Sequence, residues 1–493
     1  MPSTHPVAAS QPRRVPTRRN TELGLLVVAW LLVLLLSVTA QSAMTNEVGT
    51  RPLVLPAMLG ILFLVAHLGV RFLAPYSDPV ILPCAALLNG IGIIFIQRLS
   101  VGGTEINNQH SLAVRRSWGP FDGLGIKQMA WMAVAIVAMV LVIGFLRDHR
   151  TLSRYAYTLG LGGLVFMATP AVLPSSLSSL SGGAKLWIIT PLGAVQPSEF
   201  AKLLLLCFFA FYLVRKREVL SLASKRVLGI DFPRGRDLGP VLVIWVFSLL
   251  VLVFEKDLGT SLMYFGCFVV MMYIATERTS WLIIGLGLFF GGAFLGYELG
   301  NVLSPFANLH DRIDLWLDPL SDPGGSGFQA IQARIGLASG GLLGTGPGAG
   351  HPGLVPLNYS DEITAGLGEE LGIAGLAAVL MLYLLIAARG MKTATAVRDP
   401  FGKLLAGGLS FSVALQVFVI VGGVTGLIPF TGLTTPLLSY GGSSLVANWI
   451  LVALLLRISN AARRPIPGVG GPTGPTGGPQ PQLHSATTEV IKL

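Results

Sequence analysis

Charged residues are scarce in this chain. Asp, Glu, Lys and Arg make up 12% of its 493 residues, about half of the roughly 25% found in an ordinary soluble domain. That shortage excludes a soluble enzyme, a disordered chain and a nucleic-acid binder built on one charged stripe. The net charge is +10, but the charges fall in short runs between long apolar stretches. Cysteine is rarer still. Cys84, Cys207 and Cys267 all lie inside apolar stretches, so neither a disulfide nor a metal cluster is expected. No His-x-x-x-His or comparable metal spacing occurs. Gly344-Thr345-Gly346-Pro347-Gly348 has no strand pattern before it and no Gly-Lys-Ser/Thr after it, which excludes a nucleotide-binding loop.

What is abundant is apolar. Hydrophobic residues make up 52% of the chain, mean hydropathy is +0.70, and 60 glycines suit close helix packing in lipid. A membrane helix needs about 20 mostly apolar residues. That window gives twelve candidates, near 24–41, 53–74, 80–97, 126–146, 155–174, 199–214, 239–254, 258–275, 280–299, 365–388, 404–424 and 443–457. The expected fold class is therefore all-α, a polytopic membrane protein. The first apolar run is too long for a cleavable signal peptide, and a second follows almost at once. With the N-terminus in the cytoplasm, cytoplasmic segments hold 24 of the 34 basic residues. The opposite orientation would export the basic run from Arg215 to Arg236. Both termini are therefore expected inside. Residues 1–22 and 460–493 read as disordered tails, the first basic and the second rich in Pro and Gly.

Three outer connections are long: about 98–125, 175–198 and 300–364. The last is far longer than an ordinary connector. Within it Phe328, Ile331 and Ile335 fall at helical spacing, which predicts a short amphipathic helix. It lies either in the membrane interface or over a small core of its own. Asp318-Pro319 and Asp322-Pro323 read as turns. Asp361, at the edge of a span, is either a helix cap or a functional carboxylate. Glu199 and Lys202 are three apart at the start of a span and can pair on one helix face. They either fix packing or serve function. Glu255-Lys256-Asp257 reads as a solvated turn. Lys185 beside Trp187 is either an anion contact or an interfacial anchor.

The stretches GAKLWI (183–188), QPSEFAK (196–202), DLGTSL (257–262), LDPLSDPGGSGFQAIQA (317–333), SGGLLGTGPG (339–348), SDEITAGLGEELG (360–372) and GLIPFTGLTTPLLSYGGSSLVAN (426–448) occur in one order. Together they resemble the shape, elongation, division and sporulation (SEDS) family of membrane peptidoglycan glycosyltransferases. The family core has ten spans, matched here by 79–459 with its outer loop 300–364. Two additional spans within 23–78 resemble the actinobacterial RodA branch, as do Asp78-Pro79, Leu87-Leu88-Asn89-Gly90 and Glu255-Lys256-Asp257.

The resemblance implies a role for Asp361. It lies eight residues before Glu369, where the family has its essential carboxylate. Glu362 stands where the family has Phe, and so competes for that role. The implied substrate is lipid II, polymerised with inversion during wall elongation. The FtsW-like division role, a lipid II flippase and an inactive scaffold stay open. Asp361 would act as base. Lys185, Arg312 and Arg334 would meet the departing pyrophosphate. Trp187, Gln196, Glu199, Lys202, Asp257, Ser439, Tyr440 and Ser443 would line the headgroup site. No cofactor is fixed, and a divalent cation, Mg or Mn, stays open. The implied partners are membrane lipid and a class B penicillin-binding protein, and no nucleic acid. The expected location is the bacterial plasma membrane, with the active face outside.

Overall fold

The computed structural model describes residues 17–45, 51–102, 123–174, 193–220, 257–303 and 306–465, with short stretches between them. The chain is an all-α, multi-pass membrane protein. Among the described residues, ten helices are long and apolar enough to cross a membrane. They are α1 (Arg19–Thr45), α2 (Val54–Leu73), α3 (Ile81–Gly102), α4 (Leu124–Phe145), and, after the short α5 (Thr151–Arg154) and α6 (Ala156–Val172), α7 (Pro197–Leu220), α8 (Leu258–Thr276), α9 (Ser280–Gly300), α12 (Ile363–Ala396), α13 (Pro400–Val424) and α14 (Gly442–Arg463). Two helices that are too short to span, α10 (Ala307–Leu317) and α11 (Phe328–Gly340), lie between α9 and α12.

Several expectations change. The span expected at 155–174 is the 17-residue α6, with Pro170 inside it. The span expected at 239–254 lies largely outside the described residues. The described parts of the connection 98–125 and of the basic run 215–238 each include an antiparallel hairpin, Thr104–Asn107 with His110–Ala113 and Ala223–Val227 with Ile230–Pro233. Of the two tails, only the inner ends are described. α1 starts at Arg19 and α14 continues to Arg463, so helix extends into both. The 300–364 region is mostly short helices and turns, clipped onto α12. The predicted helix is present as α11, but its inward face is not the large apolar one. Ala333, Gly336 and Gly340 are buried, whereas Ile335 is exposed. A methyl on Gly340 would come within 2.1 Å of the Gly368 carbonyl. Small residues there let the two backbones touch, as is usual for helices packed in membranes.

The interval from Gly340 to Ala374 contains a break in α12. Gly372 has φ +70°, a conformation open to glycine and unfavourable for other residues. In a continuous helix Ile373 and Ala374 would donate to the carbonyls of Glu369 and Glu370. Instead, Ile373 N–H donates to Gly341 O (3.0 Å) and Ala374 N–H to Leu342 O (3.1 Å). The carbonyls released accept from Thr345 N–H (2.9 Å) and Gly346 N–H (3.0 Å). The 341–346 loop thus replaces both missing helix bonds. An unpaired peptide group in hydrocarbon would cost several kcal/mol, so the loop and the break require each other.

The two N-terminal spans carry an ionic cluster that their sequence did not announce. Buried Glu22 pairs with Arg19 and with His67 Nδ1 (2.8 Å), while Arg19 also donates to the Ser77 carbonyl. Next to it, buried Asp78 pairs with Arg389 (3.0 Å) and Arg463. Asp78 N–H donates to Ser459 Oγ (2.7 Å). These contacts fasten the α2–α3 turn to the end of α14.

Candidate active site

Four helices begin at one place. Gln196, Asp257, Glu362 and Gly441 stand at or just before the starts of α7, α8, α12 and α14. Each helix start leaves N–H groups without an internal partner and carries partial positive charge. Cross-links hold the starts together. Gln196 N–H donates to Ser443 Oγ (3.1 Å), Tyr264 OH to the Ser198 carbonyl (3.0 Å), and Ser439 Oγ to the Ser360 carbonyl (2.5 Å).

Asp361 is half-buried at this junction. It faces Arg312 across Gly432: a methyl there would lie 3.9 Å from both Asp361 Oδ2 and Arg312 Nη1. Gly432 also has φ +74°, a conformation that disfavours any side chain at this position although the space would admit a methyl. Arg312, on α10, is held by Asn308 Oδ1 (2.9 Å) and the Phe430 carbonyl (2.8 Å). Asp257 is not the solvated turn expected from its neighbours. It is buried and caps α8, accepting from Thr260 N–H (2.9 Å) and Thr260 Oγ1 (2.6 Å).

The charges of Asp257 and Asp361 both act on Arg312. Burial pushes the Asp361 carboxyl up to about 7. The Ser360 hydroxyl and Arg312 oppose that rise, and Asp257 adds to it. Burial also raises Asp257, against the Thr260 bonds and Arg312. Burial lowers Arg312, with both carboxylates opposing.

Glu362, the rival carboxylate, is 1% exposed. Its Oε1 receives only a long contact from Gln329 (3.5 Å), and Oε2 has no hydrogen-bond partner among the described residues. Burial, then the neighbouring Asp361, push it up to about 8. Burial thus raises both neighbouring carboxyls, and the charge of Asp361 raises Glu362 further.

Beside this centre lies a small cleft lined by Ser198, Glu199, Lys202, Thr260, Tyr264 and Gln416 among others. Lys202 Nζ donates to Glu199 Oε2 (2.9 Å) and Gln416 Oε1 (2.9 Å), and Gln416 in turn donates to Thr434 O (2.9 Å). Thr260 joins the cleft to Asp257.

Ser439 and Tyr440 act on the backbone around Asp361, whereas Ser443 holds the Gln196 N–H at the start of α7. Ser439 Oγ accepts from Thr435 N–H (2.8 Å). Tyr440 N–H donates to Tyr359 O (2.7 Å), and the two rings meet edge to face at 5.9 Å. Arg334, on α11, lies against Gly426, where a methyl would come within 2.4 Å of its Nη2. The Nε of Arg334 is buried with no hydrogen-bond partner among the described residues. Arg312 and Arg334 thus brace opposite ends of 426–432. Trp187 is half-buried on the strand Ala184–Thr190, which pairs with Ser178–Ser181 and Gly193–Val195. Lys185 is on the same strand, but its side chain lies outside what is described.

Sequence reasoning missed several supporting residues. Gln128 of α4 clamps the 439–441 turn, donating to Ser439 O (3.0 Å) and accepting from Gly441 N–H (3.2 Å). Arg98 pairs with Glu370 (2.6 Å) and donates to Gly350 O (2.5 Å), while Glu369 accepts from His351 N–H (2.6 Å). A lone amide or guanidinium inside an apolar span was the available signal. No group of three or more His, Cys, Asp or Glu placed to hold a metal occurs among the described residues.

A family profile described as cell cycle protein, covering FtsW, RodA and SpoVE, matches residues 78–464. The chain is 48% identical over 461 residues to a peptidoglycan glycosyltransferase RodA of Mycobacterium bovis, covering 94% of each. It is 44% identical over 478 residues to the protein of the same name from Mycobacterium leprae, covering 97% of each. A chain in a solved peptidoglycan synthase complex is similar in fold, with TM-score 0.59 and 24% identity. The match covers 78% of this chain and 97% of that one. The profile match spans most of the sequence and includes every helix that builds the junction around Asp361: the chain belongs to the FtsW, RodA and SpoVE family.

Proposed function

We propose that this protein is a peptidoglycan glycosyltransferase that polymerises lipid II, with Asp361 as the general base. The observation that carries the reading is the pairing of two unlike carboxyls. Asp361 is reachable and titrates near pH 7, while Glu362 is sealed and neutral. A base poised near the working pH contributes about 10²–10⁴-fold. In the reaction, the sugar 4-hydroxyl oxygen attacks the anomeric carbon of the donor. Its proton passes to Asp361. The bond from that carbon to the pyrophosphate oxygen breaks, and its electron pair leaves with the lipid pyrophosphate. The single displacement inverts the anomeric centre.

Departing negative charge needs fixed positive charge. Four converging helix starts and Arg312 supply it, and Arg334 adds a buried Nε donor without a hydrogen-bond partner among the described residues. The Glu199–Lys202–Gln416 cleft lines the headgroup side. Both termini are cytoplasmic and Asp361 faces outward, which follows from the concentration of Lys and Arg in the opposite loops. The mycobacterial relatives are named RodA, which favours wall elongation over division. The partner is a cross-linking enzyme, a class B penicillin-binding protein, in keeping with a similar chain in a complex described as coordinating polymerisation and crosslinking.

Purified protein given purified lipid II tests this reading. Glycan strands support it. Translocation of the headgroup without strands would indicate a transporter, and neither outcome would indicate a scaffold.

A further inference from the structure

The loop that repairs the break in α12 also exposes two leucines. Leu342 is 68% exposed and Leu343 is 81% exposed. They are flanked by Gly341 (φ +54°) and Gly344 (φ +84°), and Gly344 N–H donates back to Gly340 O (2.8 Å). The turn is therefore tight, and its tip points away from the protein.

The depth of this tip is fixed. Gly341 O and Leu342 O accept from Ile373 and Ala374, the first two residues of α12 beyond the break. From there α12 presents an outward stripe of Ile373, Met381, Leu384 and Leu385, each exposed. The stripe belongs to a helix long and apolar enough to cross a membrane. The Leu342–Leu343 tip sits at the top of that stripe. Composition agrees. No Asp, Glu, Lys or Arg occurs from Ile335 to Ser360, a long uncharged run for a segment between spans. Non-helical backbone is tolerated at membrane depth only where its polar groups are paired, and the exchange of bonds with α12 supplies that pairing.

We propose that Leu342 and Leu343 insert into the acyl region of the leaflet on the Asp361 side, making the 341–346 loop a lipid-binding wedge. The wedge is continuous, through Thr345 and Gly346, with the backbone of Glu369 and Glu370, and through His351 with the Glu369 side chain. Lipid contact thereby holds the loop that completes α12 at Gly372, eleven residues from Asp361. The other occupant such a tip could have is a second protein.

Nitroxide accessibility in nanodiscs containing this chain alone separates the two. The label is carried by Leu343→Cys, and independently by Leu342→Cys should the first fold poorly. Cys84, Cys207 and Cys267 are buried, and the unsubstituted chain gives the labelling background. Leu384→Cys serves as the lipid-facing reference and exposed Ser326→Cys as the aqueous one. The wedge predicts that collision with oxygen exceeds collision with a water-soluble nickel chelate at the tip, as at Leu384. Nickel access equal to that at Ser326 would overturn it. Shielding from both reagents, as under a second copy of the chain, would also overturn it.

Discussion

Ser439 Oγ donates to the carbonyl of Ser360 across 2.5 Å, so the turn that starts α14 holds the residue immediately before Asp361. Ser439→Ala removes that hold without touching the carboxylate. A hydrogen bond of this kind contributes about 0.5–1.5 kcal/mol, so turnover should fall by roughly 2- to 13-fold if the loss falls on the transition state. The position of the acid limb of the pH profile should stay put. A large shift of that limb in Ser439→Ala would mean that the serine tunes the carboxyl rather than placing its backbone.

The acid limb belongs to Asp361. Its rate contribution requires the ionised form, so activity should rise with pH through about 7. Arg312 acts to lower that value and Asp257 to raise it. Arg312→Gln should therefore move the limb to higher pH, and Asp257→Asn to lower pH, whatever either does to the maximum rate. Profiles of initial rate against pH for the three proteins check both signs. Shifts in the same direction for both variants would contradict the assignment.

Glu362 makes a prediction about stability. Its folded-state value of about 8 is above its ordinary 4.5, so the fold favours the neutral acid. The stabilisation is complete below about pH 4.5 and is lost as pH rises toward 8. Glu362→Gln cannot ionise and escapes that loss. Its unfolding temperature relative to the parent should climb steadily over this window. A constant difference would show that Glu362 is not held neutral. Because Glu362 ionises after Asp361, the same variant should leave the acid limb of activity near pH 7.

Lys202 bonds both Glu199 and Gln416 inside the bundle. Lys202→Ala leaves the Glu199 carboxylate buried without its cation, at about 3–5 kcal/mol. Folded yield in detergent should drop, and the pair Glu199→Gln with Lys202→Met should recover part of it. Full yield with lost activity in Lys202→Ala would point instead to direct contact with substrate.

Spans were legible where twenty apolar residues run together, and the family resemblance singled out Asp361, which the structure places beside Arg312 at the meeting of the helix starts. The break at Gly372 was not. AGLGEELGIAGLAAV reads as one continuous helix, and the groups that replace its missing bonds lie some thirty residues earlier in the chain. The inward face of α11 could not be chosen from Phe328, Ile331 and Ile335, because membrane packing here selects the small residues, Ala333, Gly336 and Gly340, and leaves Ile335 exposed. Asp257 resembled a turn residue because Glu255 and Lys256 precede it. Its burial, near Arg312 and Glu199, arises only in three dimensions. Glu22 and His67 are 45 positions apart in two spans, and nothing local pairs them.

The central claim is that Asp361 accepts the proton of the attacking hydroxyl. The most direct test is polymerisation of lipid II by purified Asp361→Asn, with Glu362→Gln beside it at pH 7. The account predicts a fall of about 10²-fold or more for Asp361→Asn, with unchanged folding, and near-parental strand formation by Glu362→Gln. An active Asp361→Asn beside an inactive Glu362→Gln would contradict it.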